Sequence, residues 1–253
     1  MTLGLIGAGN MARALARGWG EPVLCTDAGS GRARALAAEV GGEALDSNLE
    51  LVRRADLVVL CHKPAQLETI AAEGAGQARA VVSVLGGVSL ARLRAAYPEA
   101  QVARVMPNTA VAVGQGVVCL SADPEAEGAG FLPRVRERFA RLGRVVDVPE
   151  RLMDVATAIS GVAPAYTSLV AEAQIDAAVR HGMPSSLAGE LVVHSLAGSA
   201  HLLAERSSDT LAVRREVASP GGLTARGLDA LERDGLRTAF MDAMEAVVAG
   251  SRT

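Results

Sequence analysis

The sequence predicts an α/β fold in which a doubly wound sheet is followed by an all-helical region. Up to about residue 148, short apolar runs alternate with helical stretches, which is the pattern of a parallel sheet flanked by helices. One of these runs, Leu57–Leu60, is apolar at every position, as expected of a strand covered on both faces. After Pro149 the strand pattern stops. We therefore place a first domain at residues 1–148 and a helical domain at residues 149–253.

The elements follow from apolar runs and from the spacing of apolar residues. The predicted strands are Leu3–Ile6, Pro22–Thr26, Asp56–Cys61, Ala80–Val84, Gln101–Met106, Val117–Leu120 and Arg144–Val148. The predicted helices between them are Met11–Gly18, Arg32–Val40, Leu49–Arg54, Pro64–Ala72 and Leu132–Arg141. In the second domain, glycine and proline separate helices predicted at residues 150–180, 184–205, 209–217, 223–234 and 236–250.

Several helices of the second domain are apolar around most of their circumference. Leu187–Leu203, rich in alanine, valine and leucine, is the clearest example. A helix at a protein surface shows one apolar stripe, so these helices must be covered on several sides. A partner subunit is the expected cover, which predicts a homodimer or an assembly of dimers.

Charge and hydropathy limit the other partners. The formal net charge is −3 and the basic residues are scattered, so the basic stripe of a nucleic-acid-binding protein is missing. We find no apolar run approaching the roughly 20 residues of a membrane span, and expect no membrane partner. The N-terminus enters a strand-like run without the pattern of a signal peptide.

Cysteines and histidines predict neither disulfides nor a metal site. Cys25, Cys61 and Cys119 are widely spaced, odd in number and placed in apolar stretches, which favours reduced thiols and a cytoplasmic location. His194 and His201 lie seven residues apart on a predicted helix, without a third ligand nearby. We therefore expect no metal.

A glycine-rich sequence follows the first strand and opens the first helix. It is Gly7-Ala8-Gly9-Asn10-Met11-Ala12, the Gly-x-Gly-x-x-Gly/Ala pattern of a Rossmann-type dinucleotide site. The first glycine permits the tight turn, the second lets a pyrophosphate approach the backbone, and Ala12 lets helix and strand pack closely. The phosphates then lie at the positive end of a helix dipole. NADPH or NADH is the expected cofactor.

The end of the second strand leaves the choice between these cofactors open. Asp27 stands where a carboxylate bonds the adenosine ribose, which favours NADH. Ser30, Arg32 and Arg34 follow and are suited to a 2′-phosphate. Asp27 is equally well explained as a turn residue in Asp27-Ala28-Gly29.

Two further strands end in candidate cofactor residues. His62, Lys63 and Pro64 follow one strand, where the ends of parallel strands face the cofactor crevice. His62 and Lys63 are candidates for proton donation, cofactor packing or simple exposure to solvent. Met106, Pro107 and Asn108 end another strand and are expected to border the nicotinamide.

The most unusual sequence is Ser219-Pro220-Gly221-Gly222-Leu223-Thr224, which leads into a helix. Two glycines after a proline make a tight turn whose free N–H groups suit a small carboxylate substrate. Thr224 would stand at or near the N-cap of that helix, so it is either a substrate contact or an ordinary cap.

With this loop the sequence resembles the pyrroline-5-carboxylate reductase family, whose members reduce a cyclic imine to proline. The matching segments run nearly end to end: Leu5–Met11, Asn48 before Ala55-Asp56, Lys63-Pro64, Arg104–Thr109, Ser160-Gly161 with Pro164-Ala165-Tyr166, and Ser219–Gly222. The resemblance implies a dimer with interlocked helices. It also implies that Asn48 approaches the adenosine ribose, that Gly221 and Gly222 bind substrate, and that Thr224 hydrogen-bonds the ring nitrogen.

The sequence departs from the family pattern at four places. Val162-Ala163 replace a second Ser-Gly, Ser208-Asp209 replace His-Pro, Leu223 replaces a smaller or hydroxylated residue, and His62 replaces an apolar one. Alternatives to reduction of 1-pyrroline-5-carboxylate are therefore a related reductase for another cyclic imine or small acid, and a non-catalytic nucleotide-binding regulatory protein.

Overall fold

The computed structural model describes residues 1–122 and 130–250 and contains one eight-stranded sheet followed by helices. The strands are β1 (Leu3–Ile6), β2 (Leu24–Thr26), β3 (Glu43–Ala44), β4 (Leu57–Leu60), β5 (Ala80–Ser83), β6 (Gln101–Pro107), β7 (Gly116–Ala122) and β8 (Gly143–Asp147). Their spatial order is β3-β2-β1-β4-β5-β6-β7-β8. Only the β6–β7 pair is antiparallel among these strands.

The helices beside the sheet are α1 (Asn10–Trp19), α2 (Arg32–Val40), α3 (Asn48–Arg54), α4 (Leu67–Ala72), α5 (Leu90–Ala96) and α6 (Phe131–Ala140). Two apolar clusters fill the two sides of the sheet. One contains Trp19 and Phe139, whose rings pack edge to face at 5.6 Å, and the other contains Tyr97. All the predicted strands are confirmed. The two-residue strand β3 and helix α5 are additions that the sequence pattern did not indicate.

Residues 150–180, predicted as one helix, form four pieces instead. These are a 3-10 turn Glu150–Leu152, α7 (Met153–Ala156), a π-helical turn Thr157–Gly161 and α8 (Ala163–Arg180). Pro164 is part of the reason: it has no N–H to donate to the carbonyl four residues earlier, which is that of Ser160. That carbonyl accepts a hydrogen bond from the Asn108 side chain at 3.1 Å instead.

The remaining helices are α9 (Ser185–Glu205), α10 (Thr210–Val217), α11 (Leu223–Arg233) and α12 (Leu236–Gly250). The chain divides into two compact units: residues 1–164 with the end of α12 from Val248, and residues 165–247. In the second unit, Ala188 is the one buried residue that we find on α8 to α12. Large apolar side chains such as Leu169, Leu191 and Met241 are exposed, which agrees with the expectation that these helices need a cover.

Helix α9 corrects one expectation drawn from the sequence. By length and composition, this 21-residue helix is apolar enough to cross a membrane, although no run was expected to be. Its polar positions, among them Glu190, His194 and His201, are spread along the helix rather than gathered at its ends. The same apolar surface is equally suited to packing against other helices.

Candidate functional site

The glycine-rich loop lies at the carboxyl end of β1, where the strand order reverses between β2 and β4. Gly7 has a φ of +102°, and its N–H donates to the Thr26 carbonyl at 3.1 Å. A Cβ on Gly7 would lie 2.7 Å from backbone atoms of both Cys61 and His62, so only glycine fits. Ligands of doubly wound sheets bind at such a reversal point.

Gly9 and the start of α1 have the form of a phosphate site. Gly9 is the N-cap residue of α1, and nothing lies within 4 Å of the position its Cβ would take. The first helical hydrogen bond, from Arg13 N to Gly9 O at 3.0 Å, leaves the N–H groups of Asn10, Met11 and Ala12 without a helical acceptor. Free amides, open space and a helix dipole suit a pyrophosphate, so the residues present fit a dinucleotide. Ala8, within this loop, is buried.

Asp27, at the end of β2, organises the next loop. Its carboxylate accepts hydrogen bonds from Gly29 N at 2.9 Å, Ser30 Oγ at 2.8 Å and Ala33 N at 2.9 Å. Partial burial acts to raise the pKa of Asp27, but these hydrogen bonds outweigh it and hold the pKa below its ordinary value. Asp27 and Ser30 thus both take part in this turn, and their predicted contact with the adenosine ribose stays a prediction.

Asn48, the first residue of α3, uses both the oxygen and the nitrogen of its side-chain amide in hydrogen bonds. Its Oδ1 accepts from Thr26 Oγ1 at 2.6 Å, and its Nδ2 donates to Glu73 at 2.7 Å. Thr26 also supplies the carbonyl that holds Gly7, so Asn48 is linked through one residue to the glycine-rich loop. The structure therefore brings Asn48 to the same edge of the sheet.

His62, Lys63 and Pro64 follow β4 directly beside the glycine-rich loop. His62 Nδ1 lies 2.9 Å from the Lys63 carbonyl, which can only accept, so Nδ1 carries the proton. His62 Nε2 is buried without a partner among the described residues. Burial lowers the pKa of His62, although the bond to the Lys63 carbonyl acts to raise it. Lys63 and Pro64 are exposed, and Pro64 opens a 3-10 turn, Pro64–Gln66, so the helix predicted from Pro64 begins at Leu67 as α4.

Met106, Pro107 and Asn108 lie at the end of β6, and all three are buried. Asn108 is buried; its Nδ2 bonds the Ser160 carbonyl and its Oδ1 accepts from Val117 N at 3.3 Å. Met106 packs in a small apolar cluster with Cys119 and Met153. Ser160 was not among the predicted site residues, although Pro164 four positions later was the available signal.

The second predicted group, Ser219 to Thr224, lies in the unit of residues 165–247. Gly221 has a φ of +69°, and Gly222 is the N-cap of α11. Gly222 N donates to Ser219 O at 3.0 Å, and a Cβ on Gly222 would lie 2.4 Å from Ser219 Oγ, so this glycine shapes the turn. Thr224 is the second helical residue, so it lies near the N-cap, as one predicted alternative had it, while the cap position itself belongs to Gly222 and no side chain caps the helix.

Thr224 and the amides around it place several hydrogen-bond donors at the start of α11. The first helical bond of α11 runs from Arg226 N to Gly222 O at 3.2 Å, which leaves the N–H groups of Leu223, Thr224 and Ala225 without a helical acceptor. Within the described part of the chain we find no hydrogen bond to the exposed Thr224 hydroxyl. The Leu223 side chain is 87% exposed.

Comparison with known proteins gives the family. A family model described as pyrroline-5-carboxylate reductase dimerisation matches residues 150–253, and one described as NADP oxidoreductase coenzyme F420-dependent matches residues 2–87. The pyrroline-5-carboxylate reductase of Thermus thermophilus is 38% identical over 97% of this chain and 95% of its own length. That of Synechocystis is 34% identical over 96% of this chain and 94% of its own.

The chain belongs to the pyrroline-5-carboxylate reductase family.

Solved structures agree with this assignment. The Plasmodium falciparum pyrroline carboxylate reductase with NADP bound has a TM-score of 0.86 and 29% identity, covering 99% of this chain and 97% of its own. The Streptococcus pyogenes 1-pyrroline-5-carboxylate reductase has a TM-score of 0.88 and 28% identity, covering 99% and 98%. This reductase family thus accounts for both the doubly wound sheet and the helical region, and the predicted fold class is confirmed.

Proposed function

We propose that this chain reduces 1-pyrroline-5-carboxylate to L-proline with NADPH or NADH. Residues 1–148 would be the cofactor domain and residues 149–253 the substrate and dimerisation domain. The observation that carries the proposal is the Thr224 hydroxyl, which has no hydrogen-bond partner among the described residues, beside the amides at the start of α11 that lack a helical acceptor. A cyclic imine that bears a carboxylate needs a hydrogen-bond donor at its nitrogen and an anion site a few ångströms away, and this turn offers both kinds of group.

The chemistry assigns a role to each part of the turn. Reduction adds one hydride to the imine carbon and one proton to the nitrogen, and the carbon accepts hydride readily only when the nitrogen is protonated or hydrogen-bonded. The Thr224 hydroxyl donates that bond. The N–H groups of Leu223, Thr224 and Ala225, at the positive end of α11, hold the carboxylate. The exposed Leu223 side chain limits the shape of the ring that fits. When bound, the cofactor supplies the hydride.

The residues at the carboxyl ends of β1, β2 and β4 would hold the cofactor. The loop of Gly7, Ala8, Gly9, Asn10 and Met11 receives the pyrophosphate. The amides of Asn10 and Met11 lack a helical acceptor, whereas Gly7 N bonds the Thr26 carbonyl and shapes the turn. Asp27 and Ser30, which both build the next turn, are proposed to lie beside the adenosine ribose. Asn48 approaches the ribose from α3, and its present bonds to Thr26 and Glu73 must then rearrange in part.

At the nicotinamide end, the contacts that remain to a cofactor are backbone and apolar ones. His62, Lys63 and Pro64 contribute from the end of β4, and Met106 and Pro107 from the end of β6. Asn108 supports this wall from behind, because its amide is already committed to Ser160 and Val117. Arg32 and Arg34 are suited to bind the 2′-phosphate of NADPH, so the choice between NADPH and NADH stays open.

The chain is proposed to work as a homodimer or an assembly of dimers in the cytoplasm. A groove of about 730 Å³ on the helical unit is lined mainly by apolar side chains of α11 and α12, among them Leu228, Leu231, Leu236, Phe240 and Met244. A second subunit that fills such grooves would bury apolar surface worth about 25 cal/mol per Å². Cys25, Cys61 and Cys119 are unpaired, as a reducing compartment requires.

One steady-state assay tests the proposal. Cofactor oxidation is followed with 1-pyrroline-5-carboxylate, with its six-membered homologue and without substrate, each with NADPH and NADH. The proposal requires turnover that depends on the five-membered imine and exceeds that of the homologue. Turnover with the homologue alone, or none with either imine, refutes it.

A further inference from the structure

One face of β6 forms a continuous contact with residues 150–161. Side chains alternate along a strand, so Arg104, Met106 and Asn108 share a face. Each has a partner in that segment: Arg104 bonds Glu150 and Asp154, Met106 packs against Met153, and Asn108 bonds the Ser160 carbonyl. We refer to these three contacts as the β6 seam. The proposed function has no role for its first member.

Arg104 is the charged end of the seam. Its side chain is only 5% exposed, and its two terminal nitrogens bond Glu150 Oε1 at 3.0 Å and Asp154 Oδ1 at 3.3 Å. Glu150 Oε1 also accepts from Leu90 N at 3.1 Å. One guanidinium thus joins the middle of the sheet to the 3-10 turn, to α7 and, through Glu150, to the start of α5.

A contribution to folding stability does not by itself explain why the charged groups of Arg104, Glu150 and Asp154 lie together here. Removing the Arg104 charge from water costs several kcal/mol, while its partners Glu150 and Asp154 are still 34% and 40% exposed, and an apolar set of the same volume is often as stable or more so. The cluster is also incompletely satisfied, since Arg104 Nε and Glu150 Oε2 are buried without partners within the described residues. What a directional ion cluster does supply is one defined register, where apolar packing permits several.

The register of residues 150–161 on β6 determines which group Asn108 contacts at the other end of the seam. The π-helical turn Thr157–Gly161 presents the Ser160 carbonyl to Asn108, and π-helical turns are frequent at functional sites. A shift of residues 150–161 by one position would remove this acceptor from Asn108. The end of β6 would then lose the support behind Met106 and Pro107.

We propose that Arg104 is a positioning residue, which fixes residues 150–161 in one register on β6 and thereby holds Met106–Asn108 in place for hydride transfer. This rests on the proposed function, which puts the end of β6 at the nicotinamide. Arg104 touches neither cofactor nor substrate in this account. It acts through Glu150, Asp154 and the seam.

The test uses two variants of the full-length protein and a matched control. Arg104→Lys keeps the charge but not the two-pronged geometry, and Asp154→Ala removes one partner at a half-exposed position. The control is Arg92→Lys, because Arg92 makes an exposed two-pronged pair with Glu68 at 2.7 and 2.9 Å in the same unit. Readouts are kcat, KM for the imine, cofactor affinity by direct titration, and amide hydrogen exchange of residues 150–161.

We expect faster exchange in residues 150–161 of both variants and a kcat lower by roughly ten- to a hundred-fold, since small displacements of reacting groups cost that much. Cofactor affinity stays within about three-fold, because the pyrophosphate site is untouched. Unchanged exchange, or faster exchange with kcat within about two-fold of the control, overturns the inference. If the wild-type chain reduces no imine, the proposed function fails; exchange then still decides whether Arg104 sets the register.

Discussion

The backbone nitrogen of His62 lies 2.7 Å from the position that a Cβ on Gly7 would take. The first glycine of the loop is therefore fixed by its contact with the end of β4 and by its φ of +102°. Gly7→Ala would force both a rare backbone conformation and a shift of residues 61–62. We expect a loss of stability of about 1–3 kcal/mol and weakened cofactor binding, seen in chemical denaturation and in a cofactor titration. A variant as stable as wild type would contradict the packing described for Gly7.

For a substitution at Gly9 we expect the opposite effect on stability from that at Gly7. It has an ordinary extended conformation as N-cap of α1, and nothing lies near its Cβ position. Aspartate is a favourable N-cap, so Gly9→Asp should fold with stability equal to or slightly above wild type. Its carboxylate would stand against the pyrophosphate, and we expect cofactor affinity to fall by at least a hundred-fold, with roughly three kcal/mol of repulsion. Gly9→Ser is the uncharged control. Wild-type affinity in a folded Gly9→Asp variant would remove the dinucleotide site from this loop.

Asp27 gives a pH-dependent prediction. Its folded pKa lies below the ordinary value of 3.8, so its carboxylate stabilises the loop above about pH 4, and this contribution is lost as pH falls through the lowered folded pKa. We expect Asp27→Ala to cost about 1 kcal/mol at neutral pH, as loss of a capping side chain does. The difference between variant and wild type should shrink as the pH falls below 4. A difference that is constant from pH 7 to 3 would show that the ionised carboxylate is not what holds the turn.

A substitution of Asn108 distinguishes a structural role of this residue from a direct contact with the cofactor. Its amide is buried and uses both ends, so Asn108→Ala leaves the Ser160 carbonyl and the Val117 N–H without their partners. We expect a loss of about 1–3 kcal/mol in stability. Cofactor affinity of the folded variant should change less than that of Gly9→Asp. A variant of normal stability with strongly weakened cofactor binding would instead make Asn108 a nicotinamide contact.

Local pattern predicted most of the fold because the strands are apolar and the helices are periodic. Strand β3, Glu43–Ala44, was not predicted, because its two residues are not fully buried and do not form an apolar run. Helix α5 was not predicted either, although the sequence has a serine, Ser89, at the N-cap position. In the structure the Ser89 hydroxyl accepts a hydrogen bond from Arg92 N. In the site, the glycine-rich loop was predictable because its backbone requirements are local. The partners of Arg104 and Asn108 were not, because Glu150 and Ser160 lie 46 and 52 residues away in the chain.

Two residues show what a motif leaves undecided. Asp27 had two interpretations from sequence, and only the three donors around its carboxylate identify it as a turn residue. Thr224 likewise had two interpretations. The helix begins two residues earlier than an N-cap position at Thr224 would require, so Thr224 lies near the cap without occupying it. For Thr224 the deciding fact is the position of a helix start, which is finer than apolar periodicity defines.

The turnover of Thr224→Ala tests the central claim most directly, with Thr224→Ser as the control that keeps a hydroxyl. Because Thr224 is not the N-cap, its removal should leave stability within about 0.5 kcal/mol. If the hydroxyl bonds the imine nitrogen, kcat with 1-pyrroline-5-carboxylate should fall by roughly ten- to a thousand-fold in Thr224→Ala, with cofactor affinity nearly unchanged and most of the activity kept in Thr224→Ser. A folded Thr224→Ala variant with kcat within about two-fold of wild type would contradict the account.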